Sequence, residues 1–180
     1  MGDADLHELI LYATPTGELA DSCREYWRRA DEAGRTTTAQ SFPPHCTLTG
    51  FFHRGRGRVA EVVAEAAQVA EEFGSVEVAD VRLESHGDWV GLGLDSDRLA
   101  SAIDRFVELH RVFAGEDRLR PKSWLHLSLA YGDGVVPAWH AELAATLVQP
   151  CTVPWTIGLW RRAGARWERL DLGSGVGTPT

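Results

Sequence analysis

Hydrophobic and polar positions alternate along this chain with two periods, one typical of strands and one typical of helices. Residues 9–13 form a short apolar run, which predicts a buried strand. Residues 17–33 predict a helix that Gly34 ends, because apolar residues recur there with helical spacing: Leu19, Cys23, Tyr26, Trp27 and Ala30. The chain is therefore predicted to begin with a strand followed by an amphipathic helix.

Two adjacent prolines separate this helix from the next predicted strand. Pro43 and Pro44 stop any helix and favour an extended segment, which we predict over residues 45–52. A second helix is predicted over residues 58–73 from a regular apolar stripe: Val59, Val62, Val63, Ala66, Ala67, Ala70 and Phe73. This stripe predicts that one face of the second helix packs into the core.

A predicted hairpin joins the two halves of the chain. Residues 76–83 alternate between apolar and polar, residues 86–88 predict a turn, and residues 89–94 predict the returning strand. Ser96 or Asp97 then caps a helix predicted to run to about residue 113. Its inward face is predicted from helical spacing: Leu99, Ile103, Phe106, Val107, His110 and Phe113.

The remaining pattern predicts a strand over residues 124–131, a helix over residues 135–147, and a closing hairpin of residues 151–160 with 167–172. A length of 180 residues with 44% hydrophobic content suits one compact domain. We therefore predict a single two-lobed domain over residues 1–172 and a disordered tail over residues 173–180.

The predicted elements repeat in the same order in the two halves of the chain. Each half reads strand, helix, strand opened by a histidine, helix, strand. The two histidines, His45 and His126, are 81 residues apart and occupy equivalent places. Such halves would pack as two lobes of sheet covered by helices, with the two histidine strands meeting at a central cleft. Periodicity alone leaves other arrangements of helices and strands open.

The two histidine strands carry the residues with the clearest chemistry. Residues i and i+2 of a strand point to the same face, so His45 shares a face with Thr47, and His126 with Ser128, at Cα separations of roughly 6.6 Å. Two hydroxyls would then hold a phosphate while two imidazoles flank the scissile bond. One neutral imidazole would accept a proton from water and the other would donate one to the leaving oxygen, and we favour His126 as the base.

The basic residues exclude several other chemistries. A net charge of −8 disfavours broad binding to a nucleic-acid backbone. Seventeen arginines accompany a single lysine, Lys122, which lies in Pro-Lys-Ser-Trp and not in a glycine-rich phosphate loop. This composition disfavours a P-loop nucleotidase and leaves one candidate for any covalent lysine mechanism.

Metal, covalent and disulfide chemistry also lack their usual patterns. Among seven histidines no HxH, HExxH or histidine–carboxylate cluster occurs, so we expect no metal ion and no cofactor. The three cysteines, Cys23, Cys46 and Cys151, are widely spaced and indicate neither a disulfide framework nor a zinc site. Cys46 alternates away from His45 on a regular strand and is predicted to pack beneath the site.

The two motifs, His-Cys-Thr-Leu at 45–48 and His-Leu-Ser-Leu at 126–129, resemble the paired H-x-[ST]-x motifs of the 2H phosphoesterase superfamily. Their surroundings, PPHCTLTG and LHLSLAYG, look most like the cyclic phosphodiesterases of plants and yeast. The resemblance implies a bilobal α+β fold with antiparallel-rich sheets and metal-free opening of 2′,3′-cyclic nucleotides or ADP-ribose 1″,2″-cyclic phosphate. It also implies a substrate-binding tyrosine five residues after the second histidine, Tyr131, which a regular strand would turn to the opposite face from His126.

Two alternatives remain open beside this hypothesis. Bacterial RNA 2′-5′ ligase-like phosphodiesterases share the motifs, so RNA ends are a possible substrate, although low basic content and short loops favour a small cyclic phosphate. A non-catalytic nucleotide-binding module would keep the same cleft. The N-terminus lacks a signal-peptide pattern and no apolar run is long enough to span a membrane, so we expect a cytoplasmic protein without membrane association. We also expect a monomer.

Several residues near the motifs have two interpretations each. The basic run 53–58 either edges the cleft or forms a solvated loop, and Arg120 and Lys122 precede the second motif in the same ambiguous way. Trp89, Trp124 and Phe52 either stack on a nucleobase or, as we favour, pack in the core. His110 lies in an apolar stripe and is expected to be a half-buried packing residue.

Overall fold

The structure is a computed structural model that describes residues 6–173. Over this range it contains four α-helices and one antiparallel sheet of nine strands, which confirms the α+β class. The helices are α1 (Gly17–Glu32), α2 (Val59–Phe73), α3 (Asp97–Leu109) and α4 (Pro137–Leu147). The strands are β1 (Leu6–Pro15), β2 (Cys46–Thr47), β3 (Phe52–Gly55), β4 (Ser75–Val78), β5 (Asp80–His86), β6 (Trp89–Asp95), β7 (Leu125–Tyr131), β8 (Val153–Ala163) and β9 (Arg166–Arg169).

The sheet is strongly curved. Its main path runs β4-β8-β1-β2-β7-β6-β5, with β3 added to β1 and β9 to β8. β4 and β5 lie at opposite ends of this path, yet only Ala79 separates Val78 from Asp80. Since consecutive Cα atoms are about 3.8 Å apart, the two ends of the path approach within about 7.6 Å at this point. A division of this sheet into two lobes stays a prediction.

The middle of the sheet is its narrowest part. β2 has two residues, and it pairs with β1 through Tyr12↔Thr47 and Ala13↔Cys46. On its other side it pairs with β7 through Cys46↔Leu127. The strands that carry the two histidine motifs are therefore neighbours, as their equivalent places in the two halves predicted.

The continuous strand predicted over residues 45–52 is wrong. β2 and β3 are separated by residues 48–51, although both pair with β1. The backbone N–H groups of Leu48 and Thr49 both approach the carbonyl of Leu11, and the Thr49 hydroxyl accepts a hydrogen bond from the Leu11 N–H. These bonds take the place of the regular ladder, so the strand is interrupted.

Residues 76–83 form parts of two strands rather than the one predicted. Val76 and Val78 lie in β4, which pairs with β8, whereas Val81 and Leu83 lie in β5, which pairs with β6 at the other end of the sheet. The apolar positions change from even-numbered in β4 to odd-numbered in β5, and this change of phase was the available signal for the break. The hairpin formed by β5 and β6 is confirmed.

The third helix is shorter than predicted. Its N-cap is Ser96, whose hydroxyl accepts a hydrogen bond from the Leu99 N–H, as the sequence indicated. It ends at Leu109 because His110 has extended backbone angles, φ −77° and ψ 108°. Val107 and Phe113, which were predicted to face inward, are exposed.

The other predicted elements are confirmed within a few residues, and the stripe predicted for α1 is buried. Helices from the two halves pack in pairs, α1 with α4 and α2 with α3. Of the predicted tail only Gly173 is described, and residues 174–180 lie outside the described range. No helix between residues 6 and 173 combines the length and apolar character needed to cross a membrane.

Candidate active site

The two motifs meet at the pair Cys46 and Leu127. Both side chains are fully buried in the core on one side of the sheet. Because strand residues alternate between faces, the residues before and after each of them point to the other side. The four flanking residues all line one cavity: His45, Thr47, His126 and Ser128.

The antiparallel register arranges these four side chains as a square. Continuing the Cys46↔Leu127 pairing by one residue on either side sets His45 across from Ser128 and Thr47 across from His126. The two histidines then lie on a diagonal, for which the typical separation is roughly 7–8 Å. A tetrahedral phosphate between them can contact both rings.

Both histidine rings are fixed in the same way. The Nδ1 atom of His45 lies 2.7 Å from the carbonyl oxygen of Pro43, and Nδ1 of His126 lies 3.2 Å from the carbonyl oxygen of Trp124. A carbonyl only accepts, so each Nδ1 carries the hydrogen and donates it. Each ring therefore keeps its Nε2 atom for exchanging a proton with a ligand.

His45 lies in a largely apolar environment. Its ring centroid is 3.9 Å from that of Tyr12 and 5.7 Å from that of Phe42. Burial, with a smaller contribution from the nearby His126, lowers the pKa of His45 to about 4. His45 is therefore a neutral imidazole at and above neutral pH.

His126 has aromatic and charged neighbours. Trp124 stacks on it with ring centroids 3.9 Å apart, and Trp89 contacts it edge-on at 5.4 Å. Burial lowers the pKa of His126, the positive charge of Lys122 lowers it further, and the carboxylate of Glu84 opposes both. The two histidines thus differ in the charged groups around them, although each donates the same kind of hydrogen bond from Nδ1 to a backbone carbonyl.

The two hydroxyls are available to a ligand. Ser128 Oγ accepts a hydrogen bond from Trp89 Nε1 at 2.9 Å, which leaves its own O–H free to donate. Thr47 Oγ1 makes no hydrogen bond to any other residue between 6 and 173. Both hydroxyls can therefore donate to phosphate oxygens.

A β-bulge brings Tyr131 to the same side as His126. Leu129 of β7 has no partner on β6, where the register shifts between Val90 and Gly91. The bulge reverses the alternation that a regular strand would have kept, so Tyr131 lines the cavity together with His126. Burial raises the pKa of Tyr131, so its phenol stays protonated and can donate.

The cavity has a volume of about 650 Å³, within the usual range for small-molecule sites. Sequence reasoning did not single out several of its lining residues: Tyr12, Phe42, Phe51, His86 and Asp88. Tyr12 was missed because it lies in an apolar strand and resembles a core residue. Phe42 and Phe51 flank the first motif, and their proximity to it was the available signal.

Arg120 and Lys122 both line the cavity and are exposed, so they add positive charge at its rim. The basic run 53–58 does not line it. Arg54 is 0% exposed and donates to His110 Nε2 from Nε at 3.1 Å and from Nη2 at 2.6 Å, so neither a cleft edge nor a solvated loop describes it. His110 is fully buried rather than half-buried, and its Nδ1 hydrogen-bonds with the Glu65 carboxylate.

The three aromatic residues considered for stacking on a nucleobase, Phe52, Trp89 and Trp124, differ in exposure. Phe52 is fully buried, and Trp89 is buried at the cavity wall, so core packing is confirmed for Phe52. Trp124 is 49% exposed and lines the cavity, which contradicts the core position favoured from the sequence. Its location one residue before β7 places it at the strand end, where the ring is not covered by a neighbouring strand.

Cys46 is fully buried beneath the site, as predicted. Within residues 6–173 no group of three or more histidine, cysteine, aspartate or glutamate side chains is arranged so that it could hold a metal ion.

No family model matches this chain. A comparison with curated proteins finds 28% identity over 134 residues to ecdysteroid-phosphate phosphatase of Bombyx mori. The match covers 71% of this chain and 20% of that protein, so the chain spans about a fifth of the length of this relative.

Proposed function

We propose that this protein is a metal-independent cyclic phosphodiesterase that hydrolyses a 2′,3′-cyclic nucleotide or ADP-ribose 1″,2″-cyclic phosphate to a phosphomonoester. The observation that carries the proposal is the pair of imidazoles, His45 and His126, each with Nδ1 fixed by a carbonyl and both lining one cavity. Positioned acid and base groups on either side of a phosphate are what in-line displacement requires. The catalysis follows the two-histidine chemistry of the 2H phosphoesterases that the motifs resemble.

The hydrogen-bond donors around the two histidines are proposed to bind the phosphate. Thr47 and Ser128 offer hydroxyls on the same face as the imidazoles, and Tyr131 offers a neutral phenol. Arg120 and Lys122 at the rim supply local positive charge in a chain whose net charge is −8. The cavity rim thus attracts a small anion, whereas the net negative charge of the whole chain disfavours binding of a polyanion.

The rest of the substrate is proposed to be a nucleoside. The half-exposed Trp124 ring beside His126 offers a face on which a base can stack, a contact typically worth about 1–3 kcal/mol. A cavity of about 650 Å³ has room for one nucleotide. The similarity to ecdysteroid-phosphate phosphatase supports hydrolysis of a phosphoester at most and does not distinguish the substrate.

The proposal is tested with a panel of cyclic phosphates incubated with the protein in EDTA, with products identified by phosphorus NMR. We expect conversion of a 2′,3′-cyclic nucleotide or of ADP-ribose 1″,2″-cyclic phosphate to a single monoester. The variants His45→Ala and His126→Ala should each lose about 10²-fold or more in rate. His7→Ala is the control because His7 lines a different surface depression. No turnover of any cyclic phosphate would overturn the proposal.

A second candidate is an RNA-end phosphodiesterase with the same site. It is favoured by a second aromatic surface on the His45 side, where Phe51 lines the cavity and Trp167 stacks on it at 5.1 Å with an interplanar angle of 15°. A substrate with a base on each side of the phosphate would use both surfaces. Turnover of an oligonucleotide ending in a cyclic phosphate, at least tenfold faster than that of the matched mononucleotide, would favour this candidate.

A non-catalytic nucleotide-binding module is the third possibility. It would bind the same nucleotides in the same cavity without converting them. Titration calorimetry with 2′,3′-cyclic nucleotides, followed by phosphorus NMR of the same sample, separates this module from both enzymes. Binding without a phosphomonoester signal is expected for the module alone.

A further inference from the structure

Two glycines on β6 leave space for side chains from neighbouring positions. A Cβ atom built on Gly93 would lie 2.4 Å from Glu84 Oε1, and one built on Gly91 would lie 2.2 Å from the Leu127 carbonyl oxygen and 2.5 Å from Trp89 Cζ2. None of these distances is compatible with any residue larger than glycine unless the neighbour moves. The carboxylate of Glu84 and the indole of Trp89 therefore occupy the space that side chains at these positions would fill.

The space above Gly93 adjoins the second histidine. Gly93 pairs with His126 on β7, and on its other side it pairs with Arg82 on β5. Glu84 lies two residues further along β5 and extends its carboxylate diagonally across β6. A negative charge from the edge strand is thereby brought to the strand beside His126.

The Glu84 carboxylate is held in this position. It is partly buried, its Oε2 lies 3.2 Å from His86 Nε2, and its Oε1 lies 3.9 Å from Arg82 Nε. His86 in turn stacks on Trp89 at 5.8 Å with an interplanar angle of 8°, and Trp89 donates to Ser128. Glu84 thus belongs to a connected layer of side chains that covers β6 and ends at the second motif.

The two histidines face different groups. His45 contacts the rings of Tyr12 and Phe42, and the charged group acting on it is His126. The ionisable and charged groups around His126 come from four parts of the chain: Arg120 and Lys122 before β7, Glu84 and His86 on β5, Asp88 in the turn, and His45 before β2. Among these, Glu84 is the acidic group that acts directly on His126.

We propose that Glu84 is a positioning residue that favours the protonated form of His126, so that His126 is the general acid and His45 the general base. This inference rests on the proposed function and reverses the assignment that the sequence favoured. It also explains why Gly93 has no side chain, since a Cβ there would displace the carboxylate.

The proton transfers balance under this assignment. His45 Nε2 takes a proton from water as the water oxygen forms its bond to phosphorus. The bond from phosphorus to the ribose oxygen breaks, and the Nε2–H of His126 protonates that oxygen. The product is a phosphomonoester, and the two rings return to their starting forms by proton exchange with solvent. The anionic phosphate adds to the effect of Glu84, because a negative charge nearby favours imidazolium.

The charge environment agrees with the geometry. Burial lowers the pKa of His45 to about 4, so this ring is neutral and able to accept a proton at neutral pH. Burial and Lys122 also lower the pKa of His126, but the Glu84 carboxylate limits the shift. A carboxylate thus favours the protonated form of His126, whereas the charged group that acts on His45 is a second imidazole.

The first test follows the two histidines by NMR titration of their Cε1–Hε1 signals without substrate. In Glu84→Gln we expect the titration of His126 to move about one pH unit lower, since a neighbouring opposite charge typically shifts a pKa by about one unit or more. The His45 signal should not move. Glu77→Gln, on β4 at the other end of the sheet path, is the matched control.

Gly93→Ala is a second variant that displaces the carboxylate without removing it, and we expect the same downward shift of His126. An unchanged His126 titration in folded Glu84→Gln would overturn the inference. These measurements need no turnover, so they decide the role of Glu84 even where the panel of cyclic phosphates shows no hydrolysis and the proposed function fails.

The second test assigns the acid from leaving-group dependence. p-Nitrophenolate leaves without a proton, so a nucleoside p-nitrophenyl phosphodiester does not need the general acid. We expect the rate deficit of His126→Ala to be at least tenfold smaller on this ester than on a cyclic phosphate, and the deficit of His45→Ala to be similar on both. The opposite result would identify His45 as the acid and overturn the assignment.

Discussion

Cys46 and Leu127 form the residue pair through which β2 joins β7, and their buried side chains lie directly behind the four motif residues. The geometry of the site therefore depends on the packing of this pair. A displacement of about 1 Å between catalytic groups can cost 10²-fold in rate. The pair connects core packing to catalysis more directly than other buried positions do.

Leu127→Ala should therefore lose both stability and activity. We expect the free energy of unfolding to fall by about 2–5 kcal/mol, as for other buried leucines, and kcat to fall at least tenfold. Leu159→Ala is the matched control, because Leu159 is equally buried but lies on β8. Urea unfolding and steady-state rates check the prediction, and equal losses of kcat in the two variants would contradict it.

Trp89→Phe removes the indole N–H that donates to Ser128 and keeps most of the ring. A hydrogen bond of this kind is typically worth about 1 kcal/mol, so we expect kcat/KM to fall about fivefold. Trp155→Phe is the control, since Trp155 Nε1 is buried and has no hydrogen-bond partner within the described part of the chain. An unchanged kcat/KM in Trp89→Phe would show that Ser128 does not depend on this bond.

Arg54→Ala should strongly destabilise the fold and leave the site chemistry unaffected. Arg54 is buried, donates to His110, and lies 3.6 Å from the Glu116 carboxylate, so its loss leaves buried polar groups without a partner. We expect the free energy of unfolding to fall by about 3–5 kcal/mol. The exposed neighbour Arg56 should change it by less than about 0.5 kcal/mol when replaced with alanine. Chemical denaturation of both variants compares them, and similar midpoints would contradict the prediction.

The half-buried imidazole of His45 should make stability depend on pH. Its pKa is about 4 in the folded protein and about 6.5 in the unfolded chain, so below pH 6.5 the unfolded chain binds the proton first. Stability should therefore fall as the pH drops from about 6.5 to about 4, by up to about 3 kcal/mol from this group. Denaturation curves of wild type and His45→Gln across this range isolate the effect. Parallel pH dependences of the two proteins would contradict it.

The sequence was sufficient to predict the motif pairs, because a strand has a fixed period of two and His45 must share a face with Thr47. It was also sufficient for helices with long apolar stripes, such as α2. It could not predict features that depend on distant partners. The bulge at Leu129 arises from pairing with β6, and it alone brings Tyr131 to the site.

The break between β4 and β5 left one trace in the sequence, because the apolar positions change from even-numbered to odd-numbered at Ala79. The strands with which the two segments pair depend on distant residues and left no local signal. Arg54 appeared to belong to a basic surface run, and only its buried contact with His110 shows otherwise. Glu84 and Gly93 carried no recognisable motif, because their relationship exists only across two neighbouring strands.

The most direct test of the two-histidine mechanism is the rate of hydrolysis of a 2′,3′-cyclic nucleotide, in EDTA, by wild type, His45→Ala, His126→Ala and the double variant. We expect each single variant to lose about 10²-fold or more. The double variant should be little worse than the slower single variant, because residues that act as a unit are strongly non-additive. A wild-type rate in either folded single variant would contradict the account.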